Sequence, residues 1–364
     1  MKFLFSNMSL YVFKQIMWCI VLVLLVVLSL DALSRVIEQT NDMQADYTFV
    51  QLLLYIALTL PGRLVEYIPY ASLIGCLAGM GMLTNNSELV VMRAAGISIW
   101  RLVLMALFPV ALIMLASMVV AEFVAPKLDQ YAEQQRLEQR YSKKRLFAKQ
   151  EFWNREQREF IRINRLTYDG NVSELSRYVF NDDWRLIKSQ YAESAVYEEG
   201  GWILKGAVET NFEINPETSK VVRLHSTEDA NSVWRTTLDS FQLRYLIADP
   251  DELNVFKLKT FIGYLKSQNL NTEHYQLAFW EKLFYPLTAI GLILIAIPGV
   301  FGSTRQVSIG YRVFVGVLIG VLFRMLQNLL TPAALVYDLS PVLISFLPIA
   351  LCVIIGFHRL NRVH

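Results

Sequence analysis

The chain has 364 residues, of which 54% are hydrophobic, 12% aromatic and only 18% charged, with a mean hydropathy of +0.36. Soluble domains carry about a quarter charged residues, so an ordinary cytosolic enzyme and a disordered chain are both excluded. The 34 Lys+Arg against 32 Asp+Glu give a net charge of only +2, which removes bulk attraction to polyanions, and no nucleic-acid partner is expected.

Apolar runs crowd both ends, whereas residues 126 to 275 are polar. This pattern predicts an integral membrane protein with one inserted water-soluble domain. A spanning helix needs about 20 mostly apolar residues. The first candidate runs from Met17 to Leu33, with Asp31 near its far end. No small-x-small cleavage site follows, so it reads as a retained signal anchor. The second stretch, Phe49 to Leu83, is too long for one straight crossing and contains Pro61-Gly62 followed by Arg63 and Glu66. A short interfacial helix before Pro61 and a crossing from Leu64 to Leu83 are expected, with both charges at the membrane edge. The remaining crossings are Leu102 to Phe123, Leu277 to Val300, Val313 to Leu330 and Val342 to Phe357. The expected division is 1–125 for three transmembrane helices, 126–272 for the inserted domain and 273–364 for three more.

Orientation follows from the bias of Lys and Arg in short loops. One side holds Lys2, Lys14, Arg93, Arg101, Arg305, Arg312, Arg359 and Arg362 against the single acid Glu88. The other holds Arg35 against Glu38, Asp42, Asp46 and Asp338. Both termini are therefore expected in the cytoplasm and the inserted domain outside. Cys19, Cys76 and Cys352 all fall in spans, so the outside domain forms no disulfide and relies on its own core.

That domain opens with a polar helical stretch, Lys127 to Lys149, and closes with a short helix, Val255 to Gln268. Between them the pattern is strand-like: Phe160-Ile-Arg-Ile, Arg177-Tyr-Val-Phe, Trp184-Arg-Leu-Ile, Ser194-Ala-Val-Tyr, Gly201-Trp-Ile-Leu and Glu209-Thr-Asn-Phe-Glu-Ile. Turn signals separate them at Tyr168-Asp-Gly-Asn, Asn181-Asp-Asp, Glu199-Gly-Gly and Asn215-Pro. An antiparallel sandwich, roll or open barrel follows. It serves either as a solubilising lid or as a platform that a partner extends by strand addition.

No phosphate loop, His-Glu-x-x-His, Gly-x-Ser-x-Gly or paired cysteines occur, and His225, His274, His358 and His364 lack ligand spacing. No cofactor, metal site or catalytic residue is expected, and energy for uphill transport must come from another chain. The longest cytoplasmic loop, Thr84 to Gly96, reads as a helix of about ten residues, with capping candidates at Asn85 to Ser87 and a stop at Gly96. Leu89, Val90, Val91 and Met92 cover most of its circumference, with no cytoplasmic domain of this chain to bury them. The helix either lies against lipid or inserts into a groove on a separate ATPase, with Glu88 facing a basic residue there.

Charged residues near the outer ends of spans form the other signal. Arg35 ends span one, Arg63 begins span two, Arg136 and Arg140 lie one turn apart beyond span three, and Arg324 is inside span five beside Gln327 and Asn328. Singly, each is explained by snorkelling to headgroups. Together they suit bidentate phosphate binding in an outer-leaflet cavity, with Asp31, Glu66 and Glu281-Lys282 balancing part of the charge.

Several runs carry a resemblance: Asn86-Ser-Glu-Leu-Val-Val-Met-Arg-Ala-Ala-Gly, Trp100-Arg101, Glu122-Phe-Val-Ala-Pro and Tyr275-Gln-Leu-Ala-Phe-Trp-Glu-Lys-Leu-Phe-Tyr-Pro-Leu. They resemble the YjgP/YjgQ permease family, whose two branches are LptF and LptG; Ser87 to Gly96 and Tyr275 to Leu287 are closer to the second. The resemblance spans essentially the whole chain. It implies six transmembrane helices with a periplasmic jellyroll-like all-β domain, in an ABC exporter that extracts lipopolysaccharide from the outer leaflet of the Gram-negative inner membrane. The implied partners are an LptF-like permease homologue, an LptB-like cytoplasmic ATPase dimer, an LptC-like periplasmic or membrane partner, lipopolysaccharide and membrane lipid. By the same resemblance Glu88 matches a coupling carboxylate, with Leu89, Met92 and Arg93 beside it. Arg35 and Arg136 match basic positions near lipid phosphates, and Arg63 falls within one residue of another. Arg324 matches no such position. The rival function is a non-transport scaffold or sensor that recruits envelope proteins through its β domain.

Overall fold

The computed structural model describes residues 7–40, 48–140, 152–166, 172–198, 201–214, 221–236, 250, 253–267, 270–301, 308–337 and 339–362. The chain divides into two compact units: Met1–Arg136 with Pro250–Gly263 and Asn271–His364, and Leu137–Asp249 with Tyr264–Leu270.

The first unit is helical. Its elements are α1 (Asn7–Thr40), α2 (Phe49–Asn85), α3 (Glu88–Ala94) and α4 (Ile99–Val119), which continues through a π-turn (Val120–Val124) into α5 (Ala125–Arg140). After the inserted domain come α6 (Val255–Ser267), α7 (Glu273–Ala296), α8 (Pro298–Phe301), α9 (Ile309–Val336) and α10 (Pro341–Asn361). Among the described residues, six helical segments are long and apolar enough to cross a membrane: Asn7–Thr40, Phe49–Asn85, Ile99–Glu133, Glu273–Phe301, Ile309–Val336 and Pro341–Asn361.

The expected break at Pro61-Gly62 is a correction. α2 is one helix of 37 residues running through both Pro61 and Pro69. A proline inside a helix removes one backbone hydrogen bond, and α2 runs on through it because it is packed against α1 on both sides, at Leu52 and Ile56 and again at Gly75 and Gly79.

The bundle core joins Val12, Ile16 and Ile20 of α1 to Leu73, Leu77 and Met80 of α2, Leu102 and Val110 of α4, Leu292 and Ile293 of α7, and Ile349 of α10. Small residues let backbones approach, as packing in lipid favours. A Cβ added at Gly75 would meet Ile20 Cα at 2.6 Å, and one at Gly79 would meet Ile16 Cα at 3.1 Å. At the opposite end of the pair, Leu52 and Ile56 of α2 pack on Ala32 and Val36 of α1. Between these contacts lies an apolar groove of about 370 Å³ lined by Val21, Leu24, Leu25, Leu28, Ala32 and Leu60.

The π-turn carries Glu122, whose carboxylate accepts the backbone N–H groups of Val255 (3.1 Å) and Phe256 (3.5 Å), capping the start of α6. This gives a structural role to the Glu122-Phe-Val-Ala-Pro run.

The second unit holds a six-stranded antiparallel sheet in simple sequence order: β1 (Phe152–Glu156), β2 (Glu159–Leu166), β3 (Val172–Phe180), β4 (Leu186–Glu198), β5 (Gly201–Ile214) and β6 (Val221–Trp234). One face is buried: Ile161, Ile163, Val172, Leu175, Ala192, Ala195, Trp202, Leu204, Ala207 and Trp234 cluster together. Ile161 and Ile163 alternate as a strand does, whereas Val172 and Leu175, Ala192 and Ala195, and Leu204 and Ala207 are three apart and reach the same face because the pairing skips residues 174, 193 and 206, a bulge with Glu174 and Gly206 at positive φ. Together with the six long apolar helices this makes an α-helical membrane protein with an inserted β domain.

Strand boundaries differ in detail. The runs at 201–204 and 209–214 are one strand, β5, as the run at 194–197 belongs to the same strand as 186–187. Trp184 and Arg185 are turn, because Asn181 Oδ1 accepts the N–H groups of Asp183 (3.0 Å) and Arg185 (2.9 Å) and Trp184 is left-handed at φ 57°. β1 and β6 are additions to the sequence reading. The turn signals at 168–171, 199–200 and 215–216 and the helical expectation over 141–149 lie outside the described residues.

Candidate functional site

Most of the arginines singled out above are placed along α2 or against it. Arg35 pairs with Asp31 one turn earlier on α1 (3.1 Å), and Asp31 also accepts the hydroxyl of Tyr67 from α2 (2.7 Å). Arg63 pairs with Glu66 (2.7 Å), whose second oxygen takes Arg324 of α9. One turn further on, the Tyr70 hydroxyl donates to Gln327 (3.3 Å). Arg136 of α5 pairs with Glu133 (3.6 Å), donates to the Tyr55 hydroxyl (3.2 Å) and stands 4.8 Å from the centre of the Tyr55 ring. Tyr55 donates in turn to Glu133 (3.2 Å). Arg140 is in α5, and its side chain lies outside the described residues.

The spacing of Tyr55, Arg63, Glu66, Tyr67 and Tyr70 is helical, so they form a stripe along α2 about 22 Å long at 1.5 Å per residue. Arg63 and Arg324 are brought together through Glu66. Arg35 and Arg136 join the same stripe at different heights. Asp31 and Glu66 supply the counter-charge expected of them. Glu281 accepts from Thr331 (3.0 Å), and Lys282 donates to the carbonyl of Leu253. Exposure separates the arginines: the side chains of Arg63 and Arg324 are 40% and 46% exposed, those of Arg35 and Arg136 only 12% and 17%. Glu133, Tyr55 and Tyr67 were missed by the sequence reading. A Tyr or Glu on a long helix carries no mark of the arginine it meets from another element.

Apolar surface flanks the stripe. Leu22, Leu25, Leu30 and Leu33 of α1 are exposed, as are Phe314, Leu318, Leu322, Met325 and Leu329 of α9. Both helices pack against α2.

At the other end of α2 the chain turns through Ser87, left-handed at φ 61°, into α3, and leaves at Gly96, φ 85°. Glu88 opens α3, where a carboxylate is favoured by the helix dipole, and Arg93 occupies the last turn. Glu88 accepts from the hydroxyl of Tyr11 (3.2 Å) and from Asn86 (3.3 Å). The expectation that four apolar residues lack cover needs correcting. Leu89 and Met92 are 3% and 7% exposed and belong to the bundle core, whereas Val90 and Val91 are 58% and 66% exposed. A helix docked on its own bundle buries the i, i+3 pair and presents the residues between. Toward the same end of α2, buried Arg312 of α9 donates to the carbonyl of Gly81 (3.0 Å).

A family profile described as lipopolysaccharide export system permease LptF/LptG matches residues 10–362. The lipopolysaccharide export system permease protein LptG of Escherichia coli (strain K12) is 30% identical over 361 residues, covering 98% of this chain and 99% of that protein. LptG of Haemophilus influenzae (strain ATCC 51907 / DSM 11121 / KW20 / Rd) is 25% identical over 360 residues, with the same shares covered.

Proposed function

The chain belongs to the lipopolysaccharide export permease family LptF/LptG, and from that premise we propose how its residues divide the work of a lipid exporter. As a member it is a permease subunit of the lipopolysaccharide export system and a multi-pass inner-membrane protein. In our reading both termini and α3 face the cytoplasm, the β unit faces the periplasm, and the functional division is 1–125, 126–272 and 273–364. The permease pairs with an LptF-like homologue on an LptB-like ATPase dimer and passes lipid toward an LptC-like partner. It has no nucleotide site of its own.

The observation that carries this reading is the two-sided packing of α3. Leu89 and Met92 anchor it in the bundle, while Val90 and Val91, beside Glu88 and Arg93, stand outward with nothing of this unit over them. A lever needs such a rooted side and an offered side. At the far end of α2 the arginine stripe takes the lipid phosphates, as guanidinium forks do, and the exposed faces of α1 and α9 take acyl chains. Each methylene removed from the bilayer interior and left in water costs about 0.8 kcal/mol, so extraction must be driven, and the push arrives through α3.

Charge reversal tests the phosphate end. Arg35→Glu combined with Arg136→Glu, in the assembled complex, is expected to cut lipopolysaccharide crosslinking severalfold while the ATPase still co-purifies. Undiminished crosslinking would refute the assignment.

A further inference from the structure

Glu66 differs from the other carboxylates on the stripe. Asp31 and Glu133 each pair with an arginine on their own helix, and those arginines are largely covered. Glu66 instead divides its two oxygens between Arg63 on α2 (2.7 Å) and Arg324 on α9, and both guanidinium groups are more exposed than the carboxylate between them, which is 25% exposed. One two-oxygen anion bridging two accessible guanidinium forks has the arrangement that a phosphate adopts between two arginines.

We propose that Glu66 occupies the seat of a lipid phosphate and that its charge makes the seat selective for phosphate monoesters over phosphate diesters. The inference rests on the reading of Arg63 and Arg324 as phosphate-binding groups.

Selectivity follows from charge exchange. With Glu66 in place the trio carries two positive charges and one negative, and Asp129 of α5, against Gly62, lies near enough to Arg63 to interact with its charge, so a further anion is admitted only in exchange for Glu66. A phosphate diester brings one negative charge. In displacing Glu66 it replaces like with like, and it leaves a partly buried carboxylate without its partners, which is unfavourable. A phosphate monoester carries about −1.5 to −2 near neutral pH and three acceptor oxygens. It satisfies both guanidinium groups more fully than the carboxylate does and so offsets that loss. Bulk glycerophospholipid headgroups are phosphate diesters, zwitterionic or singly anionic, so a resident carboxylate keeps the seat from filling with ordinary membrane lipid. Arg324, which the family resemblance left without a role, is thereby the second half of the seat.

The test uses the permease in its complete complex, held in phosphatidylcholine nanodiscs carrying either phosphatidic acid, a monoester, or phosphatidylglycerol, a diester, as the sole anionic lipid. Lipid retained on the purified complex is quantified by mass spectrometry. The wild type is expected to prefer phosphatidic acid on the order of tenfold, the value of one charge-assisted hydrogen bond. Absence of that preference overturns the proposal without recourse to any variant. Glu66→Gln, nearly isosteric, is expected to bring the ratio toward one by raising retention of phosphatidylglycerol; an unchanged ratio refutes the filter. Arg324→Gln separates the two levels of the reading. If it lowers phosphatidic acid retention while Glu66→Gln leaves the ratio intact, phosphate binding stands and the filter falls. If neither Arg324→Gln nor Arg63→Gln changes retention, both fall.

Discussion

Replacing Val90 and Val91 together by alanine isolates the outward face of α3. Each change removes two methyl-sized groups, worth about 1.6 kcal/mol when wholly buried at about 0.8 kcal/mol apiece. With 58% and 66% of these residues available to a partner, burial on docking is worth about 1 kcal/mol for each. The double variant should therefore bind the ATPase about thirtyfold more weakly. The contrasting change is Leu89→Ala on the inward face, 3% exposed, where truncation costs about 2–5 kcal/mol of fold stability. The assay pairs an affinity titration of the ATPase against nanodisc-held permease with the melting temperature of the permease itself. Val90→Ala with Val91→Ala should shift the first and spare the second; Leu89→Ala should lower the second. Wild-type affinity for the double variant, alongside lost affinity for a Leu89→Ala protein of normal melting temperature, would show that the faces have been assigned the wrong way round.

Two further outcomes concern the scaffold. Gly75→Ala forces a Cβ to within 2.6 Å of Ile20 Cα, an overpacking cost of about 1–3 kcal/mol against a gain in helix propensity of about 1 kcal/mol. Melting should fall, whereas Gly263→Ala, with nothing within 4 Å, should raise it. In the β unit, burial pushes the Glu209 carboxyl up, but hydrogen bonds from Lys188 (2.7 Å) and Asn211 (3.2 Å) and the charges of Lys188 and Arg177 outweigh it and hold it below the ordinary 4.5. A lowered value adds stability that is present above the ordinary value and is lost as the pH falls through the lowered one. Glu209→Gln should therefore destabilise the sheet at neutral pH, with the difference from wild type closing at acid pH in hydrogen-exchange protection of β4 and β5; a pH-independent difference would exclude the linkage.

The six crossings were legible because twenty apolar residues in a row have few other uses. The reading failed at Pro61, where a local rule about one lost hydrogen bond was set against packing on α1 that only the assembled bundle supplies. It failed again on α3. Four consecutive apolar residues were visible, but which of them face inward depends on a bundle surface assembled from distant segments. β6 went unread since Arg223-Leu-His-Ser-Thr-Glu-Asp lacks apolar alternation, and it is defined by pairing with β5 rather than by its own composition. At the arginine stripe the cations were found with two of their carboxylates, Asp31 and Glu66, but Glu133 and the pairing of Glu66 with Arg324 were not. Glu66 and Arg324 are 258 positions apart, a separation that no local pattern spans, and the aromatic hydroxyls of Tyr55 and Tyr67 look like ordinary span residues until the neighbouring helices are in place.

The apolar slot between α1 and α2 has a mechanical corollary. Glycine-mediated backbone contact clasps the pair at Ile16 and Ile20, and Leu52 and Ile56 clasp it again near Val36. Helices fastened at two points can part between them only by bending, because separation at either clasp would uncover Ile16, Ile20 and Leu52, which are wholly buried.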